Sequence, residues 1–585
     1  MSTESIQFNL KERFAAPLPE FYQRRIIFWQ DKEREFEGMV AELDLPGVEI
    51  IKLTGSNNFE VKKLLLHDDL TSDFLIYDPF SYENSKDNWL RDIELFSEEY
   101  RADYISMLMS ELNVASGPAM RKTVKLYAKF LDNKERKGKL QKIGRSYETP
   151  IQFHIDVMAV LAGVPGVSAQ EVFISVLSNG LDEETNTPIS NIKKFGNIDA
   201  FWQLVRKYTG YQYEEENPLG LFAAHVLLTA QSQTMSASVF KGLERFLSES
   251  NKAYCYSMVH EWQNREGHSA LLEVCRSVEQ ELQLPTRFDK QEIETLLTGD
   301  IFPAIHESIL KRFYDEISGQ VVKTDLMLKT VENRRTSGWY EMFSDYYECL
   351  YHAARMQDFY QEHAGGFHIV EPKEIWKLYT EQGYQVDSNY RQFHLHFGNT
   401  LKDSNAVVED KLKHAAEYVE SLYKNWFLAG LTSCWTNAVS DDLASLGYVS
   451  EIRRQRDFYA HYVRPLAGKT TRAFVIISDA LRYEVAAELS ETLVRSTKGT
   501  AKLESMQAIF PSITKFGMAA LLPAQRVGVD EDMEVLVDGL PTRSTVERQK
   551  ILCAANSKSV AVQYTDILNM KRAERRELVS GKDVV

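Results

Sequence analysis

Hydrophobic and polar positions in the first 85 residues alternate between short β-rich runs and charged segments with helical spacing. The predicted strands are Arg25–Trp29, Val48–Leu53 and Phe74–Tyr77, and the predicted helices are Lys32–Leu43 and Asn58–His67. This alternation is typical of a small parallel α/β domain, which we expect over residues 1–85. Asp31 and Asp78 follow the first and third strands, where they could bind a cation or serve as cap and turn residues.

From about Lys86 to Arg464 the pattern is almost wholly helical. Long stretches carry apolar residues at helical spacing, with few β-rich runs between them: Asp92–Leu112, Ala200–Tyr208, Ala270–Leu284 and Asp410–Leu431. The pattern predicts a helical region over residues 86–465, built as two subdomains. Helix pairs of this kind are typical of scaffolds, since they bury one face and offer grooves to partners.

Residues 466–585 return to an α/β pattern. The run Ala473–Ile477 has no polar alternation, which is typical of a central strand in a parallel sheet. A stripe with one apolar residue every four positions follows it and predicts a helix packed on that sheet: Leu481, Val485, Leu489 and Leu493. A second strand is predicted at Ser505–Phe510, and a short helix at Lys515–Leu522.

Asp479 and Thr514 are the candidate functional residues of this region. Asp479 follows the first strand, and ligands of open α/β sheets bind at the carboxyl ends of strands. Thr514 lies at a helix start, where backbone amides favour phosphate and would ease formation of an alkoxide. The pair suits a metal-activated nucleophile that attacks phosphorus. The alternative is structural, because Asp479, Ser512 and Thr514 could each cap a helix.

The motifs FVIISDALRYEVAAEL and FPSITKFGMAALLP closely resemble the signature of PglZ proteins, the alkaline-phosphatase-superfamily component of BREX bacteriophage-defence systems. RRIIFWQDKEREFE, QRDFYAHYVRPLAG and LPTRSTVERQKIL resemble the same family, so most of the chain is covered. The resemblance implies an alkaline-phosphatase-like α/β core over residues 466–585. In that core Asp479 would be a metal ligand, and Thr514 would be both the catalytic nucleophile and a metal ligand.

The same resemblance implies a phosphatase or phosphodiesterase that uses two divalent metal ions, zinc by expectation. It also implies a role in antiviral defence, with BrxB, the PglX methyltransferase and DNA as partners. The alternative is a non-catalytic scaffold that recruits other BREX proteins through its helical region.

One departure from the family pattern affects the expected activity. Members of this superfamily commonly complete their metal site with an Asp-His-Gly step and a later histidine, whereas no histidine follows Thr514 here and His461 is the last. We therefore expect the C-terminal part of the catalytic domain to be absent from this chain. An incomplete α/β core would leave the metal site partial, with little or no hydrolysis.

Composition and charge limit the remaining possibilities. The 585 residues are 44% apolar and 26% charged, which is typical of a soluble globular protein, and the net charge of -16 argues against a surface that binds nucleic acid throughout. The five cysteines share no CxxC spacing, so we interpret them as buried thiols of a cytoplasmic protein. The longest apolar stretch, Leu219–Leu228, is far below the roughly 20 residues of a membrane span.

The segment Arg121–Arg145 is strongly basic within this acidic chain. It has ten Lys or Arg against Asp132 and Glu135, a net charge of 10 − 2 = +8. It could be a solvated helix surface or a docking surface for nucleic acid or an acidic partner, with Tyr127 and Phe130 facing the core. The candidate contact residues are Arg121, Lys122, Lys125, Lys129, Lys134, Arg136 and Lys137.

His394 and His396 form an HxH pair in RQFHLHF. In a strand the two side chains would share a face, as metal ligands can. No third ligand is apparent nearby, so the sequence favours structural histidines.

Overall fold

The computed structural model describes residues 3–585 except for residues 19, 21, 33, 35, 83, 101–103, 166–167, 266–268, 321, 403–404 and 468–471. The chain forms two compact units, Met1–Leu284 and Pro285–Val585.

The first unit begins with a parallel sheet, as predicted. Its strands are β1 (Ile26–Gln30), β2 (Val48–Lys52), β3 (Asp73–Asp78) and β4 (Glu98–Tyr100), in the order β2-β3-β1-β4. All the pairings are parallel. Both faces are covered by apolar residues, with Trp29 and Tyr77 buried on one side and Phe28 and Ile76 on the other. The three predicted strands are confirmed, and β4 is an addition that lies beyond the predicted boundary at residue 85.

The predictions for the helices around this sheet are confirmed in part. The α-helices observed in the N-terminal region are α1 (Thr3–Ala15), α2 (Asn58–Lys63), α3 (Arg91–Glu94) and α4 (Tyr104–Glu111). The helix predicted at Asn58–His67 is confirmed as α2, which continues as a π-helical turn at Leu64–Asp68. The helix predicted at Asp92–Leu112 is wrong as a single element, because β4 interrupts it to pair with β1.

The helix predicted at Lys32–Leu43 is also wrong for the described residues, which form only a 3₁₀ turn at Val40–Glu42. Asp31 stabilises turns in this segment. Its carboxylate accepts hydrogen bonds from the Phe36 amide at 2.8 Å and from the Tyr77 hydroxyl at 2.5 Å. The structure therefore gives Asp31 the role of a turn residue.

The rest of the first unit is helical. Its elements are α5 (Pro118–Leu126), α6 (Ala128–Leu131), α7 (Lys134–Lys142), α8 (Pro150–Ala162), α9 (Ala169–Ser178), α10 (Thr187–Phe195), α11 (Ile198–Thr209), α12 (Pro218–Gln231), α13 (Lys252–Gln263) and α14 (Ser269–Glu281). The apolar stretch Leu219–Leu228 lies in α12, which is buried along most of its length. Within the described part of the chain, no helix has both the length and the apolar character needed to cross a membrane.

The second unit is helical up to residue 463. Its α-helices are α15 (Leu284–Phe288), α16 (Ile293–Leu296), α17 (Pro303–Ser318), α18 (Thr324–Arg334), α19 (Tyr340–Glu362), α20 (Pro372–Leu378), α21 (Tyr384–Thr400), α22 (Ala406–Ser421) and α23 (Ala429–Leu446). π-Helical segments lie at Tyr379–Gly383, Leu422–Leu428 and Tyr459–Val463. Residues 372–400 thus form one continuous helical span with a π segment inside it, and α19 packs along α21.

The C-terminal part of this unit mixes helices with short strands. The helices are α24 (Tyr483–Ser496), α25 (Thr514–Ala520), α26 (Thr545–Ala555), α27 (Tyr564–Asn569) and α28 (Arg572–Val579), and the strands β5 (Val527–Val529), β6 (Val535–Val537) and β7 (Leu540–Pro541) form an antiparallel sheet. The predicted helices after Asp479 and Thr514 are confirmed as α24 and α25.

The two predicted strands of this region are not formed as expected. Ala473 makes a parallel bridge to Val584. The backbone hydrogen bonds of this segment to the C-terminal residues involve only Ala473 and Val475, so the segment is paired along one edge. Ile476 is 88% exposed. Within Ser505–Phe510, Gln507 bridges Arg454 instead of the 473–477 segment. A central strand needs partners on both edges, and the described residues supply one.

The predicted packing of α24 on a sheet is also wrong. Leu481, Leu489 and Leu493 of the predicted stripe are exposed and Val485 is half-buried, whereas Glu484 and Ala487 are buried on another face of the helix. That buried face packs against α21. Without a central strand at residues 473–477, the apolar stripe has no sheet to cover.

Candidate functional site

The structure brings Asp479 and Thr514 together, although they are 35 positions apart. Asp479 ends the segment that follows Ala473, and Thr514 is the first residue of α25. The Thr514 Oγ1 lies 3.3 Å from Oδ2 of Asp479 and 3.4 Å from Oδ1. Both side chains are exposed. A carboxylate and a hydroxyl therefore face each other at a solvent-accessible point.

Neither side chain caps a helix in this structure. The N-cap residue of α24 is Arg482 and that of α25 is Ile513, and neither cap has a side-chain hydrogen bond. The Asp479 carboxylate instead accepts from the Ala480 amide at 3.1 Å. Ala480 has φ of 58°, and this left-handed conformation costs a residue with a side chain about 1–2 kcal/mol.

The distance between the two side chains is that of a long hydrogen bond, and it is also the spacing of two ligands on one metal ion. Separations of 3.3 and 3.4 Å exceed the usual O–H···O range of about 2.5–3.0 Å. Two oxygens on one tetrahedral zinc ion, each about 2.0–2.2 Å from it, lie about 3.3–3.6 Å apart. The donor set and its spacing thus fit two ligands of one divalent ion.

The described residues do not complete a metal site at Asp479. Among the described residues, Glu348, His352 and His396 form a group of His, Cys, Asp or Glu side chains close enough to share an ion. Asp479 belongs to no group of three or more such side chains among the described residues. Asp479 and Thr514 alone would supply only part of the ligand set of a metal ion.

Gln507 fixes the segment that leads to Thr514. Its side chain is 7% exposed and donates hydrogen bonds to the carbonyls of Val449 and Ile452, both at 2.6 Å. Its Oε1 accepts from the Val449 amide at 2.8 Å. The sequence offered no signal for this residue, because its partners are 55 to 58 positions away.

Glu484 anchors the helix that follows Asp479. Its side chain is 1% exposed, and its Oε1 lies 3.6 Å from Nε of Arg391 on α21. The Arg391 guanidinium also pairs with Glu488 at 2.5 Å. Glu484 lies inside the DALRYE part of the motif, so the motif could have singled it out, whereas nothing in the sequence singled out Arg391.

The basic segment folds as α5, α6 and α7 in the first unit. Tyr127 and Phe130 are buried, which confirms that they face the core. The guanidinium carbon of Arg136 lies 4.0 Å from the ring centroid of Phe195, and Lys137 pairs with Glu111 at 3.1 Å. The other candidate contact residues are exposed: Arg121, Lys122, Lys125, Lys129 and Lys134.

His394 and His396 lie in α21, so the geometry expected for a strand is wrong. Two positions along a helix turn the side chain by about 200°, which directs the two rings apart. His394 Nε2 lies 3.3 Å from Glu420 Oε2, and His396 Nδ1 lies 2.7 Å from Asp345 Oδ1. Each histidine has its own carboxylate partner.

Comparison with known proteins agrees with the motif around Asp479 and Thr514. The family described as BREX system PglZ alkaline phosphatase-like domain matches residues 458–585. The alkaline phosphatase-like protein PglZ of Bacillus cereus (strain H3081.97) is 31% identical over 588 residues, which cover 100% of this chain and 67% of that protein. This chain belongs to the PglZ family.

A second relative is also similar to this chain along its whole length. The alkaline phosphatase-like protein BrxZ of Escherichia coli O9:H4 (strain HS) is 27% identical over 610 residues, which cover 100% of this chain and 68% of that protein. No solved structure gives a significant match. This PglZ-family chain is thus a mostly helical protein with a small parallel sheet and an alkaline-phosphatase-like domain.

Proposed function

We propose that this chain acts as the PglZ component of a BREX bacteriophage-defence system, and that its C-terminal domain is of the metal-dependent phosphohydrolase type. The observation that carries the proposal is the 3.3 Å approach of Thr514 Oγ1 to the Asp479 carboxylate. The family signature runs through both residues, and the alternative role of each as a helix cap is not present in the structure.

Asp479 and Thr514 would have distinct roles in phosphoryl transfer. Alkaline-phosphatase-like proteins usually use divalent metals, and a bound ion, zinc by expectation, would lower the pKa of a hydroxyl that coordinates it. The Asp479 carboxylate would hold the ion and orient Thr514. The Thr514 oxygen would attack phosphorus in a phosphate ester or diester.

A scaffold role is the second candidate function. It is supported by the partial ligand set at Asp479 among the described residues and by the helical build of most of the chain. In that case BrxB, the PglX methyltransferase or DNA would bind the helical region, and the exposed lysines of α5–α7 are one place for an acidic partner.

Hydrolysis of a chromogenic phosphodiester in the presence of Zn²⁺ tests the catalytic proposal. We would measure this chain and a form extended to the length of its curated relatives. In the extended form, Asp479→Ala and Thr514→Ala should lower turnover by about a thousandfold or more, as loss of a nucleophile does. Ser512→Ala is the matched control, since that hydroxyl is also exposed and lies two positions from Thr514. Equal turnover in Thr514→Ala and Ser512→Ala would overturn the role of Thr514.

A phage-challenge assay separates the two candidate functions. Loss of defence in Asp479→Ala and Thr514→Ala, with the defence complex still assembled, would support the enzyme. Full defence with both substitutions would favour the scaffold.

A further inference from the structure

A group of possible metal ligands lies in the helical region, apart from Asp479 and Thr514. Glu348 and His352 lie one turn apart on α19, and His396 lies on α21, which packs along α19. One ligand atom from each of the three side chains lies within 4.8 Å of the others. All three side chains are partly buried.

Both histidine rings are oriented by hydrogen bonds at the nitrogen that would not bind a metal. His396 Nδ1 donates to Asp345 Oδ1 at 2.7 Å, and the same oxygen accepts from Asn399 at 3.2 Å. His352 Nδ1 lies 2.8 Å from Oδ1 of Asn389, whose amide nitrogen donates to the Gln385 carbonyl at 2.7 Å. These bonds assign the Nδ1–H tautomer to each ring and leave Nε2 as the lone-pair atom.

This arrangement matches the outer shell that usually surrounds metal-binding histidines. A ligating imidazole almost always donates its other N–H to a carboxylate or carbonyl, which fixes its tautomer and raises its basicity. Asp345 and Asn389 supply those acceptors here. The two rings are nearly parallel, with an interplanar angle of 15° and centroids 5.9 Å apart.

Both oxygens of the Glu348 carboxylate accept hydrogen bonds from Arg335, and Oε1 also accepts from Tyr340. Its Oε1 accepts from the Tyr340 hydroxyl at 2.5 Å and from Arg335 at 2.8 Å. Its Oε2 accepts from Arg335 at 3.0 Å, and a carboxylate oxygen has a second lone pair. Arg335 thus positions the carboxylate and leaves a lone pair for an ion.

We propose that Glu348, His352 and His396 form a divalent-metal site that joins α19 to α21. Two histidines and one carboxylate are a common ligand set for zinc, with a further position open to water or an exogenous ligand. Ligands of one tetrahedral zinc ion lie about 3.3 Å apart, so small rotations of the partly exposed Glu348 and His396 side chains close the site.

The site has a structural consequence for the Asp479 region. An ion shared by α19 and α21 would fix α21, whose Arg391 pairs with Glu484 and Glu488 of α24. The metal site is nevertheless independent of the proposed hydrolysis, since it uses neither Asp479 nor Thr514.

A metal-binding measurement tests the proposal. Bound metal is first removed from the chain with a chelator. We would titrate with Co²⁺ and follow its visible absorption, then load with Zn²⁺ and determine the metal content by elemental analysis. We expect the unsubstituted chain to bind one more ion than His396→Ala or His352→Gln. Zn²⁺ should also raise its thermal midpoint more than that of either variant.

The controls separate this site from its neighbours. His394→Ala removes the adjacent histidine of α21 that pairs with Glu420, and Asp479→Ala removes the carboxylate of the other candidate site. Both should keep the extra ion. Asp345→Asn preserves the shape of the side chain that orients His396, and should weaken binding by about 10- to 100-fold.

Equal metal content in the unsubstituted chain and in a His352→Gln/His396→Ala double variant would overturn the proposal. So would a chain without Co²⁺ absorption at micromolar metal. Should the histidine variants fail to fold, the affinity of Asp345→Asn and the Co²⁺ spectrum of the unsubstituted chain decide the question.

Discussion

Gln507 shows how one side chain connects distant parts of the second unit. It satisfies backbone groups of Val449 and Ile452 inside the protein, and its own backbone bonds to Arg453 and Gln455. A buried amide or carbonyl left without a partner costs about 1–3 kcal/mol. The stability of the loop after α23 therefore depends on a residue in the segment that leads to Thr514.

Replacement of Gln507 by leucine should destabilise the second unit by about 3 kcal/mol, because it leaves two carbonyls and one amide unpaired. Urea denaturation followed by tryptophan fluorescence would measure the loss. Gln525→Leu is the control, since that side chain is exposed. A loss below about 0.5 kcal/mol in Gln507→Leu would contradict the burial and hydrogen bonding of the Gln507 side chain.

The sequence identified some site residues and not others, for a physical reason. Asp479 and Thr514 lie inside recognisable motifs, so they could be named before their proximity was known. His396 belongs to a recognisable HxH pair, but its partner Asp345 is 51 positions away on another helix. Pairings of that kind depend on how helices pack, which local residue patterns do not encode.

At the scale of elements, local pattern predicted helices well and isolated strands less well. The helices at Ala200–Tyr208, Ala270–Leu284 and Asp410–Leu431 are present as α11, α14 and the α22–α23 region. The strand at Ala473–Ile477 is mostly unpaired, and β4 was missed. A helix satisfies its own hydrogen bonds, whereas a strand forms only where a neighbour supplies partners.

The helices α5–α7 carry a prediction about nucleic-acid binding. Reversal of three exposed charges, in the variant Lys122→Glu/Lys129→Glu/Lys134→Glu, should weaken binding to duplex DNA. The logarithm of the binding constant decreases linearly with the logarithm of the salt concentration. The magnitude of this slope should be smaller by about 0.9 for each phosphate that the variant no longer neutralises. Fluorescence anisotropy at several salt concentrations would measure both quantities.

A matched triple variant in the second unit controls for net charge. Lys290, Lys329 and Lys498 are exposed, and their reversal changes the net charge by the same amount. If both triple variants bind DNA with equal affinity, α5–α7 is a solvated surface without a specific role in DNA binding.

At the scale of the whole molecule, buried and half-buried histidines make both units sensitive to acid. Burial lowers the pKa of His154 and His225 in the first unit and of His306 and His352 in the second. For His306 the positive charge of Arg334 adds to the effect. Their folded-state pKa values lie below the unfolded value of about 6.5, so the unfolded chain binds more protons as the pH falls below that value.

We therefore expect the free energy of unfolding to fall between about pH 6.5 and pH 5, by up to about 1.4 kcal/mol per pH unit for each such histidine. His306→Gln should reduce this slope, because glutamine does not titrate and can still bond Tyr347 or Ser337. Thermal midpoints measured from pH 7 to pH 5 would show the change. The exposed His414→Gln is the control, and an unchanged slope in His306→Gln would rule out a contribution from His306.

The π segment at Tyr379–Gly383 also affects how mutational scans of this region should be interpreted. A π turn holds one residue more than a regular helical turn, so every later position is rotated by roughly 100° from where a regular helix would place it. A map of the substitutions tolerated across residues 372–400 would thus show sensitive positions with the same period before and after the π segment. The positions after the segment would be shifted by one residue. A helical wheel drawn through the whole span would assign the residues of α21 to the wrong face.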